Sequence, residues 1–176
     1  MEEHGPSAVR MQDIAAEAGI SRQGVYLHFK SRTELLLSLV EWIDREQGLG
    51  KRVRRVWNAP DSVTAIKRFM ELNAHYTHKI YSVSQSLMSG RYSDDAIAAA
   101  WEDRMQGRRT TCRKLIQWLH ADGLLTDAVT MEEASDMLWT MISVQVWEQL
   151  IIESGWSEEQ YQKHLFRTLN QILVSS

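Results

Sequence analysis

Apolar side chains recur along this chain at the three- and four-residue spacing of amphipathic helices, and no stretch alternates as a half-buried strand would. The first segment places Met11, Ile14, Ala15 and Ala18 on one face and stops at Gly19, which suits a left-handed C-terminal cap. Ser21 then caps a short helix over 22–29. Val25 and Phe29 form its buried side, and Arg22, Gln23, Tyr26 and His28 form the other. Ser31-Arg-Thr-Glu34 reads as a capping box that opens a third helix at Arg32. That helix runs towards Gly48 with Leu35, Leu36, Leu39, Val40 and Ile43 as its stripe, and Trp42 is expected at its junction with the remainder.

From Pro60 onwards the pattern stays helical. Pro60 in a first turn predicts a helix through about residue 82, carrying Val63, Ile66, Phe69, Met70, Ala74 and Ile80, then a shorter one over about 83–89. Ser93-Asp94-Asp95 opens a long helix with Ile97, Trp101, Met105, Cys112, Leu115, Ile116 and Leu119, ending at Gly123. Thr130-Met-Glu-Glu133 is a capping box for a helix to about residue 153, and Ser157-Glu-Glu-Gln160 opens the last, with Tyr161, Leu165, Leu169, Ile172 and Leu173. The expected fold class is all-α.

Composition narrows the reading. The 176 residues are enough for a sizeable core. One cysteine, Cys112, excludes an intramolecular disulfide framework and fits a reducing cytoplasm. Arg109, Arg113 and Lys114 nearby could activate the thiol, but a buried structural role is favoured. No apolar run approaches the ~20 residues that span a bilayer, and there is no signal peptide, so a cytoplasmic protein without membrane contact is expected. Net charge is −3, divided as +1 over residues 1–58 and −4 over residues 59–176. Affinity for nucleic acid would therefore rest on the placement of a few cations, since it follows the phosphates neutralised. The run Lys51-Arg-Val-Arg-Arg55 reads as the solvated end of the third helix or its linker.

Catalytic patterns are thin. Glu71, His75 and His78 share one helix face without a second ligand cluster, and no Gly-rich phosphate loop occurs. Asp94-Asp95 and Glu132-Glu133 are helix-start carboxylates favoured by the helix dipole. No metal, no cofactor and no enzymatic activity are expected.

Asp13-Ile-Ala-Ala-Glu-Ala-Gly-Ile-Ser21, Gly24-Val-Tyr-Leu-His-Phe29 and Ser31-Arg-Thr-Glu-Leu-Leu36 together resemble the helix-turn-helix of the TetR (tetracycline repressor) family of transcriptional regulators. Agreement in spacing and residue type over about 25 positions is far more specific than a lone short motif. The resemblance implies a DNA-binding head over 1–47 and a helical effector-binding and dimerisation body over 48–176. Family members have a full helix before the helix-turn-helix, and here only Met1-Glu-Glu-His-Gly5 precedes it. Most of that first helix is therefore expected to be missing, through a misplaced start codon or a truncation. Arg10 stands where the family tends to have a capping Thr or Ser.

The implied function is a ligand-responsive repressor, released from a near-palindromic double-stranded operator by a small hydrophobic or aromatic effector. Its DNA contacts would be Arg22, Gln23 and Gly24 to bases and Arg10, Ser21, Tyr26, His28, Lys30 and Arg32 to phosphates. Effector residues would be Tyr76, Met88, Trp101, Met105, Trp118, Trp139, Ser143 and Trp147. The two last helices are unusually apolar, and a homodimer interface is expected at Met141, Val144, Leu150, Leu165, Leu169 and Ile172. The alternative is a dimeric ligand-binding or protein-interaction module that has lost DNA binding with its first helix.

Overall fold

The structure, a computed structural model, describes residues 15–17 and 19–175. The expectations for Arg10, Met11, Ile14 and the missing first helix lie outside these residues. Residues 15–17 are helical, and the chain leaves them through Gly19 at φ 65°. The Gly19 amide donates to Ala16 and the Ile20 amide to Ala15, the paired bonds of a Schellman cap that satisfies the helix's last carbonyls.

Eight α-helices follow among the described residues: α1 Arg22–His28, α2 Arg32–Glu46, α3 Leu49–Trp57, α4 Ser62–Gly90, α5 Asp95–Ala121, α6 Met131–Met141, α7 Val144–Trp147 and α8 Glu158–Leu173. A π-helical segment, Glu148–Glu153, continues α7. The one departure from helix pairing among the described residues is an isolated antiparallel bridge, Leu125 to Val174. It is flanked by bonds from the Thr126 amide to Leu173 and from the Ser175 amide to Leu124, which tie the end of α8 to the loop after α5.

Several boundaries differ from the sequence reading. Lys51–Arg55 is not the end of the third helix but lies on α3, a separate helix after the left-handed Gly48 at φ 57°. Helix α4 starts at the Asp61 cap, whose carboxylate accepts the Thr64 amide at 2.7 Å, and runs unbroken to Gly90. No break falls near residue 82, because Ile80, Val83 and Leu87 prolong the buried stripe. The Ser86 and Ser89 hydroxyls bond back to carbonyls one turn earlier and do not cap a new helix.

The expected single helix over 131–153 is broken instead. Ser143 caps α7 by accepting the Val146 amide at 3.2 Å, and the buried Asn73 donates to the Ile142 carbonyl at 2.7 Å, so both sides of the break are satisfied. At α2 the Ser31 hydroxyl accepts the Glu34 amide, but Glu34 reaches past Ser31 to the Lys30 amide at 2.6 Å, so the box is not reciprocal. The boxes at Thr130 and Ser157 are reciprocal.

Three apolar clusters result. Ala15 and Val25, with Phe29 and Leu35 against them, hold the head together. Val40 and Ile43 of α2 pack with Ile80, Val83 and Leu87 of α4 and Ile97 and Trp101 of α5. The main core joins α4, α5, α6 and α8 around Leu115, Ile116, Leu119, Leu138, Trp147 and Leu169.

Candidate nucleic-acid interface and effector body

The head presents α1 by its burial pattern. Val25 is buried against Ala15, while Arg22, Gln23, Tyr26 and His28 are exposed, as are Ser21, Lys30 and Arg32 in the flanking turns. The Ser21 hydroxyl accepts the Gly24 amide at 2.9 Å, which fixes the start of α1. Arg22 stands 5.7 Å from the Tyr26 ring centre, so the two side chains share one face. A Cβ added at Gly24 would meet nothing closer than 3.4 Å, so the chain's own packing does not demand a glycine there. Leu27, passed over in the sequence reading, is 83% exposed on the same helix. The signal was available: a leucine next to Val25 and Tyr26, off the helix's buried stripe, in a segment otherwise built of polar surface.

A polar clasp joins the head to the body. The Arg104 guanidinium of α5 donates to both oxygens of Asp44 on α2, at 3.0 and 2.8 Å, and to the Tyr76 hydroxyl of α4 at 3.0 Å. Tyr76 in turn donates to Asp44. Burial, and then the bond to Asp44, push the Tyr76 phenol well above its ordinary value, so it stays a neutral donor. The Thr33 hydroxyl donates to Asp94, the cap of α5. That bond, followed by the Ile97 amide, holds the Asp94 carboxyl below its usual range. Trp42 is 52% exposed and is not part of this junction.

The eight expected effector residues divide between two clusters, with Tyr76 packed against both. Trp101, with Tyr76, Met88 and Met105 beside it, belongs to the cluster under α2, where body meets head. Trp118, Trp139 and Trp147 belong to the main core. Ser143 is buried and occupied as the α7 cap. Around Trp147 lie His78, with ring centres 5.9 Å apart, and Tyr81 at 5.0 Å. The Tyr81 hydroxyl donates to Glu148, and Gln85 donates to both. An open groove of about 580 Å³ runs elsewhere, between α4 and α8 past Lys67, Glu71, Lys163 and Phe166, and none of the eight lines it.

Of the expected interface residues, Val144, Leu165 and Leu169 are 6, 4 and 1% exposed inside their own subunit. They stand behind any interface and not in it. For Val144 the break at Ser143 accounts for this, because it starts a separate short helix whose Val144 and Trp147 turn inward. Met141, Leu150 and Ile172 are half-buried. Cys112 is fully buried, and burial pushes its thiol up to about 12, so it is inert at neutral pH.

A short exposed helix set against a capped partner, on top of a body of longer helices, makes a helix-turn-helix head on a helical body. Residues 1–39 match the family described as bacterial regulatory proteins, tetR family. The HTH-type transcriptional regulator CymR of Pseudomonas putida is 22% identical over 143 residues, which is 81% of this chain and 68% of that protein. The HTH-type regulator YerO of Bacillus subtilis is 53% identical over 38 residues, 22% of this chain and 13% of that protein. Among solved structures, a transcriptional regulator of Saccharomonospora viridis in complex with choline superposes with a TM-score of 0.80 at 21% identity, covering 96% of this chain and 88% of that one. The head thus matches the tetR family in sequence over residues 1–39, and the chain as a whole shares the fold of these solved regulators. The family and these relatives are transcriptional regulators, not enzymes. Among the described residues no helix is long and apolar enough to cross a membrane.

Proposed function

We propose that this chain is a homodimeric, cytoplasmic repressor that releases its operator when a small apolar or aromatic molecule binds the body. The observation that carries the DNA half of the reading is α1 itself, buried through Val25 and otherwise projecting Arg22, Gln23, Tyr26, Leu27 and His28 into solvent. Arg22 and Gln23 have the donor geometry for base edges, and Leu27 the apolar surface for a thymine methyl. Ser21, Lys30 and Arg32 flank the helix where the phosphates of a groove-bound duplex pass. Gly48, where the chain turns from the head's last helix into α3, supports a domain division near residue 47.

The regulatory half rests on the junction. Effector residues Tyr76, Met88, Trp101 and Met105 touch the cluster that α2 enters, so a ligand that repacks them shifts the seat of the head. The Saccharomonospora viridis protein holds choline, which supports a small-molecule role for a body of this fold. A two-fold dimer sets two heads about 34–36 Å apart on DNA. Its interface falls on the exposed side of α7 and the π-helical segment, at Gln145, Gln149 and Ile152, beside the outward face of α8.

The test is a titration of the full chain against the DNA upstream of its own reading frame and against an unrelated duplex, at two salt concentrations. Gln23→Ala is expected to relax base preference by about 1–3 kcal/mol, while Lys30→Ala weakens both duplexes alike and flattens the salt slope by about one. Equal losses on both duplexes for Gln23→Ala remove it from base reading.

A further inference from the structure

The body holds a half-buried cation, Arg108, for which no anionic partner stands among the described residues. Arg108 lies on α5 one turn before the buried Cys112, with its guanidinium carbon 5.4 Å from the centre of the Trp139 ring and that of Arg109 4.4 Å from the same ring. The Nε–H of Arg108 is buried without an acceptor, and so are the indole N–H groups of Trp139 and Trp147. The ion pairs found among the described residues are Lys67 with Glu71 and Arg104 with Asp44, and neither involves Arg108. The groups that favour its charge are the Cys112 thiol and the Tyr161 phenol. Burial lifts both well above their ordinary values, so both are uncharged at neutral pH.

Buried donors are almost always paired in folded proteins, and an unpaired one is in want of an explanation. Here three stand in one body, and all three lack an acceptor. A lysine in this position could shed its proton, but a guanidinium cannot, so its charge persists beside the Trp139 ring, with Nε–H buried and the side chain half-buried. The missing complement is therefore an anion with at least two acceptor atoms.

Building on the effector reading above, we infer that Arg108 anchors a small organic carboxylate whose oxygens accept the Arg108 guanidinium and the Trp139 indole N–H. The apolar part of that molecule meets the aromatic side chains of the same cluster, Trp147 and Tyr161 among them. A guanidinium matches a carboxylate in both charge and planar fork. A quaternary ammonium, such as the choline of the Saccharomonospora viridis complex, would face like charge here.

The experiment is calorimetric titration of the full chain with benzoate, phenylacetate and 3-phenylpropionate, each paired with its primary amide, and with choline. At least one acid is expected to bind tenfold or more tightly than its amide. Arg108→Gln should lose about 10- to 100-fold of that affinity, with Arg108→Lys falling between, and choline should not bind. Acid and amide binding equally overturns the inference, as does acid preference retained in Arg108→Gln. So does failure of all three acids to bind below about 1 mM. If those acids fail and Arg108→Gln dissociates the dimer, the arginine belongs to the subunit interface. Operator release is scored separately on DNA. An acid that binds but leaves the DNA complex intact overturns the effector reading and sustains the anchor. A neutral molecule that releases the DNA does the reverse.

Discussion

Gly24 shows at the scale of one residue how folding and function make different demands. Its position in α1 accepts a Cβ without a close contact, and a glycine in a helix is less favourable than alanine by about 0.8–1.0 kcal/mol. Gly24→Ala is therefore expected to leave the melting temperature unchanged or raised. Operator affinity should fall at the same time on the reading proposed above, which sets Gly24 against the bases. Thermal melts and DNA titrations of the same preparation check both halves, and a variant with lower stability and intact DNA binding would return the glycine to a folding role. Sequence reading found Gly24 and the polar residues around it because the helix has one buried position and everything else is surface. It did not single out Arg108, because nothing in the run Gly107-Arg-Arg-Thr110 says that both arginines lie against Trp139 or which of them has its Nε–H buried.

At the scale of elements, caps were the legible part. Ser21, Ser31, Thr130 and Ser157 each accept a backbone amide three residues on, and each opens a helix where the sequence placed one. The break at Ser143 was illegible, since a serine within an apolar run reads equally as a tolerated helix interior. Asn73, which holds the Ile142 carbonyl, is 69 residues away in sequence. The clasp of Asp44, Tyr76 and Arg104 was invisible for the same reason, being made from three helices.

That clasp carries a prediction about coupling. Arg104→Met leaves Asp44 half-buried with Tyr76 as its remaining partner, which should destabilise the fold by about 1–3 kcal/mol. On the reading proposed above it should also reduce the change in DNA affinity that effector produces, because α2 loses its charged bond to α5. Urea unfolding measures the first and DNA titration with and without effector the second. Coupling unchanged by Arg104→Met would show that the apolar cluster alone carries the signal. The second tie, Thr33 to Asp94, has a pH sense. Since the folded value of Asp94 is depressed, its stabilisation is present above the ordinary carboxylate range and is lost as pH falls through the folded value.

The whole molecule tests whether the two helical ends form a dimer. Light scattering should give twice the 20.4 kDa chain mass. Ile152 is 55% exposed, so Ile152→Glu should shift that mass towards one chain without lowering stability, and an undisturbed dimer would move the interface elsewhere. Leu169→Ala should instead destabilise the fold by about 2–5 kcal/mol, as befits a side chain sealed in the core. The sequence recognised that these helices are rich in apolar residues but could not apportion them between core and surface, because the turn at Ser143 decides which way each faces.

The lone guanidinium of Arg108 also sets a trap for protein engineering. Replacing a half-buried charge that lacks an anionic partner among the described residues by an apolar side chain of similar volume removes the cost of its desolvation. Arg108→Met should thus outlast the natural protein on heating. A screen that rewards only heat resistance would collect such variants first and, on the reading proposed above, would deliver a robust protein that no longer answers its effector.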